Sequence, residues 1–291
     1  MRQGDVYASS SHFRPTILQF LYAMRSLLLC PPDYYGIEYE INPWMDRTRN
    51  ADTELARAQW RGLLEKLQLL GCDVELVAPR KKLPDMVFTA NAGLLVGRNF
   101  IRSNFRFPQR QGEEEHFEKW FANRGYEIVR LPQGLFFEGE GDSLFCGDIL
   151  FCGYRFRSDI RSHQIIGEQL KKLVISVELV KDRFYHLDTC FCPLPDGSAI
   201  WHPDAFDEYG QRAIRSHIRD GIEVVADEAA HFACNAVVLE KRVVLPEGCP
   251  KLCAALAERG YETHPLPMTE FLKAGGACKC LVLLLPQREG A

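Results

Sequence analysis

No run of lysine and arginine in this chain is long enough to follow a phosphate backbone. The 35 basic and 39 acidic residues leave a formal net charge of −4, which argues against nucleic acid as a partner. Long apolar runs are also scarce. The longest near the start, Ile17 to Met24, is too short and interrupted to span a bilayer and lacks a clear cleavage-site pattern, so membrane insertion and secretion are disfavoured. No proline- or glycine-rich linker divides the chain. Cysteine, by contrast, is plentiful, with eleven residues. Secreted disulfide scaffolds are short chains with small cores, whereas here the cysteines are odd in number and lie mostly in apolar strand-like runs. A reducing cytoplasm is expected. The 291 residues, 46% of them hydrophobic, can bury a substantial core.

Residues 1–23 carry Arg2, Arg14 and the serines Ser9 to Ser11, a weak transit-peptide composition that Asp5 opposes. They are expected to be a non-essential extension, with residues 24–291 forming a single catalytic domain. Met24 stands directly before the first convincing strand, Leu27 to Cys30.

One pattern recurs along the chain: an extended hairpin, an amphipathic helix, then a turn and a short strand. Asp52 to Leu70 predicts a helix, with Leu55, Ala58, Leu63, Leu67 and Leu70 near helical spacing, ending at Gly71 before a strand from Val74 to Val77. Glu113 to Asn123 repeats this before Tyr126 to Val129. Further helices are expected at Arg161 to Leu173, before Val177 to Val180; at Asp207 to Arg219, before Ile222 to Val225; and at Cys249 to Glu258, before Gly260 to Glu262. Hairpin turns are expected at Gly97 to Asn99, Gly147-Asp148, Pro195 to Gly197 and Glu240 to Arg242. Five such units fit a closed ring, because each needs neighbours to cover its apolar edges. The last strand, Leu281 to Leu285, favours closure over a linear solenoid.

Three segments could carry chemistry. In Tyr185-His186-Leu187-Asp188, a histidine and a carboxylate at i and i+2 would share one face of an extended strand, where one exchanges protons and the other holds a cation. A chance polar pair on a surface strand fits the spacing equally well. Glu138-Gly139-Glu140-Gly141-Asp142 crowds three carboxylates before a hairpin, either a cation site or a solvated acidic turn. In Gly275-Gly276-Ala277-Cys278-Lys279-Cys280, glycines allow close approach to a ligand and either cysteine could present a thiolate at the mouth of a strand. Lys279 would alternate away from both cysteines in such a strand. Cys278 and Cys280 with Cys190 and Cys192 also make two CxC pairs, the basis of a competing metal-binding reading. Asn42 and Asn91 sit where strands give way to loops, as ligand amides or simple Asx turns.

Taken in order, Phe88-Thr89-Ala90-Asn91, Glu138-Gly139-Glu140-Gly141-Asp142, His186-Leu187-Asp188-Thr189 and Gly275-Gly276 with Cys280 resemble the guanidino-group-modifying superfamily, the penteins. The resemblance runs from about Arg25 to Pro286. It implies a five-bladed α/β propeller of ββαβ repeats with a central polar site. Cys30 to Tyr35 and Glu40 to Met45 look most like the arginine dihydrolases. The family pattern selects Cys280 as nucleophile, although Val282 stands where threonine or serine is commoner. It implies His186 as general acid and base with Glu138 joining it. Asp142 and Asp188 would hold the guanidinium, with Phe88 and Asn91 at the substrate. Arg110, with Arg106 as competitor, would pair with the substrate α-carboxylate near Asn42. Asn91 is the finest distinction, because deiminases of the superfamily often carry an acidic residue there. The implied activity is conversion of L-arginine to ornithine, two ammonia and carbon dioxide through a covalent thiouronium. Dimethylargininase, citrulline-forming deiminase, a non-catalytic arginine sensor and a cysteine-rich zinc protein are the alternatives. No metal or cofactor is expected, the partner is a small guanidine, and a homo-oligomer is compatible.

Overall fold

The structure, a computed structural model, describes residues 25–286. The expected extension, residues 1–23, lies outside that range. Five three-stranded sheets form a five-bladed ring, and each has the same connection: an antiparallel hairpin, a helix, and a strand returning parallel to the hairpin's outer member. In the second blade Gly93–Val96 pairs with Asn99–Arg102, and Glu127–Val129 returns after the helix Glu113–Ala122. The third has Ser143–Cys146, Ile149–Tyr154, the helix Ile160–Leu170 and Leu173–Glu178. The fourth has Phe191–Pro193, Ala199–Trp201, Glu208–His217 and Ile222–Glu223. The fifth has Val237–Leu239, Arg242–Pro246, Pro250–Glu258 and Glu262–Leu266.

The first blade closes the ring. Its hairpin is made from the two ends of the described chain, with Ser26–Leu29 antiparallel to Leu283–Leu285 (Ser26 opposite Leu285, Leu28 opposite Leu283). The helix Thr53–Leu69 then crosses to Asp73–Leu76, parallel to Ser26–Leu29. Asp52, Asp159 and Asp207 start three of the crossover helices by accepting N–H bonds from Leu55, Arg161 and Gly210. Apolar contacts tie neighbouring blades together; the rings of Phe151 and Phe191, for example, lie 4.9 Å apart between the third and fourth. Among the described residues, no helix is long and apolar enough to cross a membrane.

Three expectations need correction. The first helix does not bury Leu55 or Ala58; its inward stripe is Ala56, Trp60, Leu63 and Leu67, joined by Gln59, whose amide bonds Thr269 and Glu270. The third helix stops at Leu170, because Lys171 adopts a left-handed conformation (φ 51°) that ends it, and the strand begins at Leu173 rather than Val177. His186 to Asp188 is not a strand. His186 is extended, and Leu187–Thr189 is a 3-10 turn. Short turns precede the inner strand of every blade: the 3-10 turns Thr89–Ala92, Gly139–Gly141 and Leu187–Thr189, and plain turns at residues 231–234 and 278–281. They meet at the hub and carry the site.

Candidate active site at the hub

Cys280 lies on the last of these turns, the strand after it beginning at Leu283 rather than at Leu281, and is 2% exposed. Its S–H donates to Asp188 Oδ2 at 3.1 Å, and Asn235 Nδ2 donates to the sulfur at 3.0 Å. Burial and the adjoining Asp188 carboxylate push the thiol well above the ordinary cysteine range. A cation placed beside the pair acts in the opposite sense, so the thiolate is favoured when a positively charged ligand arrives. Gly276 makes room, since a Cβ there would come within 2.5 Å of the Phe88 ring and 3.2 Å of Cys280 Cβ.

Opposite the cysteine's turn stands an imidazole held by a carboxylate. His186 Nε2 is 2.7 Å from Glu138 Oε2, and Arg157 Nη1 donates to the same oxygen at 3.0 Å. Burial pulls the Glu138 carboxyl upward, but Arg157 and His186 together outweigh it and hold the group well below the usual carboxylate range. Arg157 is itself fixed by a bond to the Ile41 carbonyl and by lying over the rings of Phe107 and Tyr185.

The three carboxylates of the glycine-rich segment therefore do not form a solvated acidic turn. All are buried and they part company. Glu138 meets His186 and Arg157. Glu140 pairs with Lys279 at 2.9 Å. Asp142 accepts from Ser158 Oγ at 2.6 Å and from the backbone N–H of Leu187. Burial raises Asp142 to about 6 against the pull of His186, and raises Asp188 to about 6 against the pull of Lys279.

Asn91 Nδ2 and Asp188 Oδ1 are buried without a partner, one a donor and the other an acceptor. Buried orphans of this kind normally mark where a ligand or ion completes the set. A Cβ on Gly141 would fall 2.1 Å from Asn91 Nδ2 and 3.4 Å from His186 Cγ, so the glycine is what lets amide and imidazole approach each other. Arg110 Nη1 donates to Asn91 Oδ1 at 2.8 Å while Glu113 engages its Nε and Nη2, which turns the Asn91 N–H group inward. Arg106 lies further out, its Nε bonded to the Arg157 carbonyl. Asn42 forms an Asx turn, its Oδ1 accepting from the Trp44 and Met45 amides, and its Nδ2 holds the Ala274 carbonyl. It pins a loop against the cysteine's segment.

The hub thus brings Cys280, Asp188, His186, Glu138, Asp142, Asn91 and Phe88 together. Asn42 and Arg110 stand behind the loop and the Asn91 amide. Two participants escaped the sequence reading, Asn235 and Arg157. Asn235 had a signal: Phe232-Ala233-Cys234-Asn235 repeats the pattern of Phe88-Thr89-Ala90-Asn91 at the equivalent turn. Arg157 had none. For the metal reading, no three His, Cys, Asp or Glu side chains among the described residues form a metal-holding group, and all eleven cysteines are free thiols.

A five-bladed ring with this hub is the arrangement of the guanidino-group-modifying hydrolases. The family model for eukaryotic N,N-dimethylarginine dimethylhydrolase matches residues 37–285, and the chain belongs to that family. It is 45% identical over 262 residues to the bifunctional arginine dihydrolase/ornithine cyclodeaminase ArgZ of Synechocystis, covering 88% of this chain and 37% of that protein. It is 38% identical to the N(G),N(G)-dimethylarginine dimethylaminohydrolase of Mycobacterium tuberculosis, covering 89% of this chain and 85% of the relative. The substrate-bound N-terminal domain of ArgZ superposes with a TM-score of 0.87 at 44% identity, over 89% of this chain and 97% of that domain. The same domain has also been captured covalently bound to a reaction intermediate, with a TM-score of 0.88 and 90% of this chain covered. The chain therefore spans a little over a third of the length of the bifunctional relatives.

Proposed function

We propose that this chain hydrolyses free L-arginine to ornithine, two ammonia and carbon dioxide, consuming two waters through an S-bound intermediate on Cys280. The observation that carries this is the pairing of a buried thiol with an unpartnered carboxylate oxygen on Asp188, which a planar cation completes, beside an unpartnered amide donor on Asn91 that would meet the oxygen an attacking water brings. The guanidinium lies between Asp188 and Asp142, its charge favours the Cys280 thiolate, and the sulfur attacks the central carbon. His186, steered by Glu138, gives a proton to the departing ammonia and then takes one from water. Asn91, a neutral amide where deiminases often carry an acid, holds the remaining C–N unit for a second water. A reducing cytoplasm belongs to the same proposal, since it keeps the nucleophile and ten further thiols reduced. A homo-oligomer is compatible with it.

Incubation with arginine tests the proposal by counting ammonia per amino-acid product. Two ammonia per ornithine is expected. One ammonia per citrulline would make the chain a deiminase. Turnover of methylated arginine with release of dimethylamine, and none of arginine, would support the activity named by the family model.

A further inference from the structure

Asn235 directly follows the hub turn of the fifth blade, residues 231–234, and is fully buried. Its Oδ1 accepts two backbone N–H bonds at 3.1 Å, from Ala277 and from Cys280. Its Nδ2 donates to the Asp188 carbonyl and to Cys280 Sγ, each at 3.0 Å. These contacts fix the orientation of the carboxamide. Turned over, it would press its NH2 group against two amide N–H groups and its oxygen against a carbonyl. The contact with sulfur is therefore a donor's contact. A donor aimed at sulfur favours the thiolate over the thiol, whereas the Asp188 carboxylate favours the thiol, which can donate to it. When the S–H proton is gone, the Asp188 bond is lost and the Asn235 N–H remains.

We propose that Asn235 is the positioning residue of the nucleophile: one side chain ties down the 277–280 turn through its oxygen and holds the Cys280 thiolate through its nitrogen. The proposal rests on the assignment of Cys280 as nucleophile. The same residue couples sulfur to carboxylate, because its second N–H fixes the Asp188 backbone and so the distance between the two groups on which the cation would bear. Among the described hub contacts, Asn235 alone touches both the backbone and the side chain of Cys280.

Two variants separate the roles. Asn235→Ala removes donor and acceptor without adding charge. Asn235→Asp keeps the acceptor for the turn but replaces the donor with an oxygen. Alkylation of Cys280 by iodoacetamide, followed between pH 7 and 10 by mass spectrometry of the Cys280 peptide, reads thiolate formation without any substrate. Loss of a hydrogen bond to a charged group is expected to move the profile upward by about one to two pH units, so both variants react roughly 10- to 100-fold more slowly at a given pH below the midpoint. Asn235→Ala is also expected to lower the Tm; Asn235→Asp should retain more of it. An unchanged alkylation profile in a folded Asn235→Ala protein would overturn the proposal. So would slowing confined to Asn235→Asp, which would assign the effect to added charge. If wild-type protein fails to turn over arginine yet both variants shift the alkylation profile, the positioning role stands and the substrate assignment falls.

Discussion

Cys280 and Asp188, on turns of different blades, share a 3.1 Å sulfur–carboxylate hydrogen bond, and the other Asp188 oxygen is buried without a partner. One carboxylate therefore both restrains the thiol and offers the next acceptor to a ligand. A neutral ligand would leave the thiol in its unreactive form, while a cation bonded to Asp188 Oδ1 would relieve the repulsion that opposes the thiolate. The buried hub would thus favour a positively charged ligand through the Cys280 thiol, the proposed nucleophile.

The first prediction concerns which sulfur reacts. Cys280→Ser should abolish ammonia release with an unchanged circular dichroism spectrum, since serine fits the same hydrogen bonds but is a far weaker nucleophile here. Cys278 is buried and its thiol is pushed far up, chiefly by burial, so Cys278→Ser should cost little activity. Activity retained by the first variant and lost by the second would move the chemistry to Cys278.

Glu138 meets both His186 and Arg157 through one oxygen, so its replacement should show in two separable ways. Glu138→Gln is expected to lower kcat by about 10²- to 10⁴-fold, as loss of a steered acid–base group does. It should also lower the melting temperature, because a buried guanidinium stripped of its charge partner costs on the order of 3–5 kcal/mol. Adding Arg157→Met should restore much of the stability and none of the activity. Recovery of both would show that Glu138 serves packing alone.

The helices and hairpins were legible because both have a period: buried residues recur along Thr53–Leu69, and turn residues such as Gly147 stand between apolar runs. The hub turns were not, since turns of three or four residues carry no period. His186 and Asp188 therefore stand on a different element from the expected strand: a turn separates them and sends one toward Glu138 and the other toward Cys280. Asn235 was readable in principle from the repeated Phe-x-x-Asn turn, which lies between the hairpins and helices that carry the periodic pattern. Arg157 was not readable, because only the closed ring brings it to Glu138 and to the Ile41 carbonyl. The sequence could name Arg110 and Asn91 but not that they meet; Glu113 and Asn91 occupy the Arg110 guanidinium, and any contact with a substrate carboxylate has to coexist with them.

The two aspartates set a pH dependence whose sign differs between stability and activity. Burial raises both Asp142 and Asp188 to about 6, against an ordinary value of about 3.9. Between those limits the folded state binds protons more tightly than the unfolded chain, so this pair's contribution to stability falls as pH rises from about 4 to about 6. The ionised forms are the ones that hold a cation. The kcat/KM for arginine should therefore climb with pH through the same interval and level above about 6, while the Tm contribution declines. A kcat/KM that is flat from pH 5 to pH 7 would remove the aspartates from substrate binding.

In the proposed reaction Asn91 is the residue expected to set how many waters attack. Its Nδ2 faces the hub unpartnered and is turned there by Arg110, which holds its Oδ1. In Asn91→Asp the Arg110 bond survives as an ion pair, but the inward atom changes from donor to acceptor. A carboxylate there would grip the guanidinium as a deiminase does and release the ureido product after one hydrolysis. The variant is expected to form citrulline, with ammonia falling from two toward one per product molecule, measured by amino-acid chromatography and an ammonia assay on the same sample. Because the charge is added where a cation binds, KM for arginine should not rise. Ornithine in undiminished yield would show that the second hydrolysis is governed elsewhere in the hub.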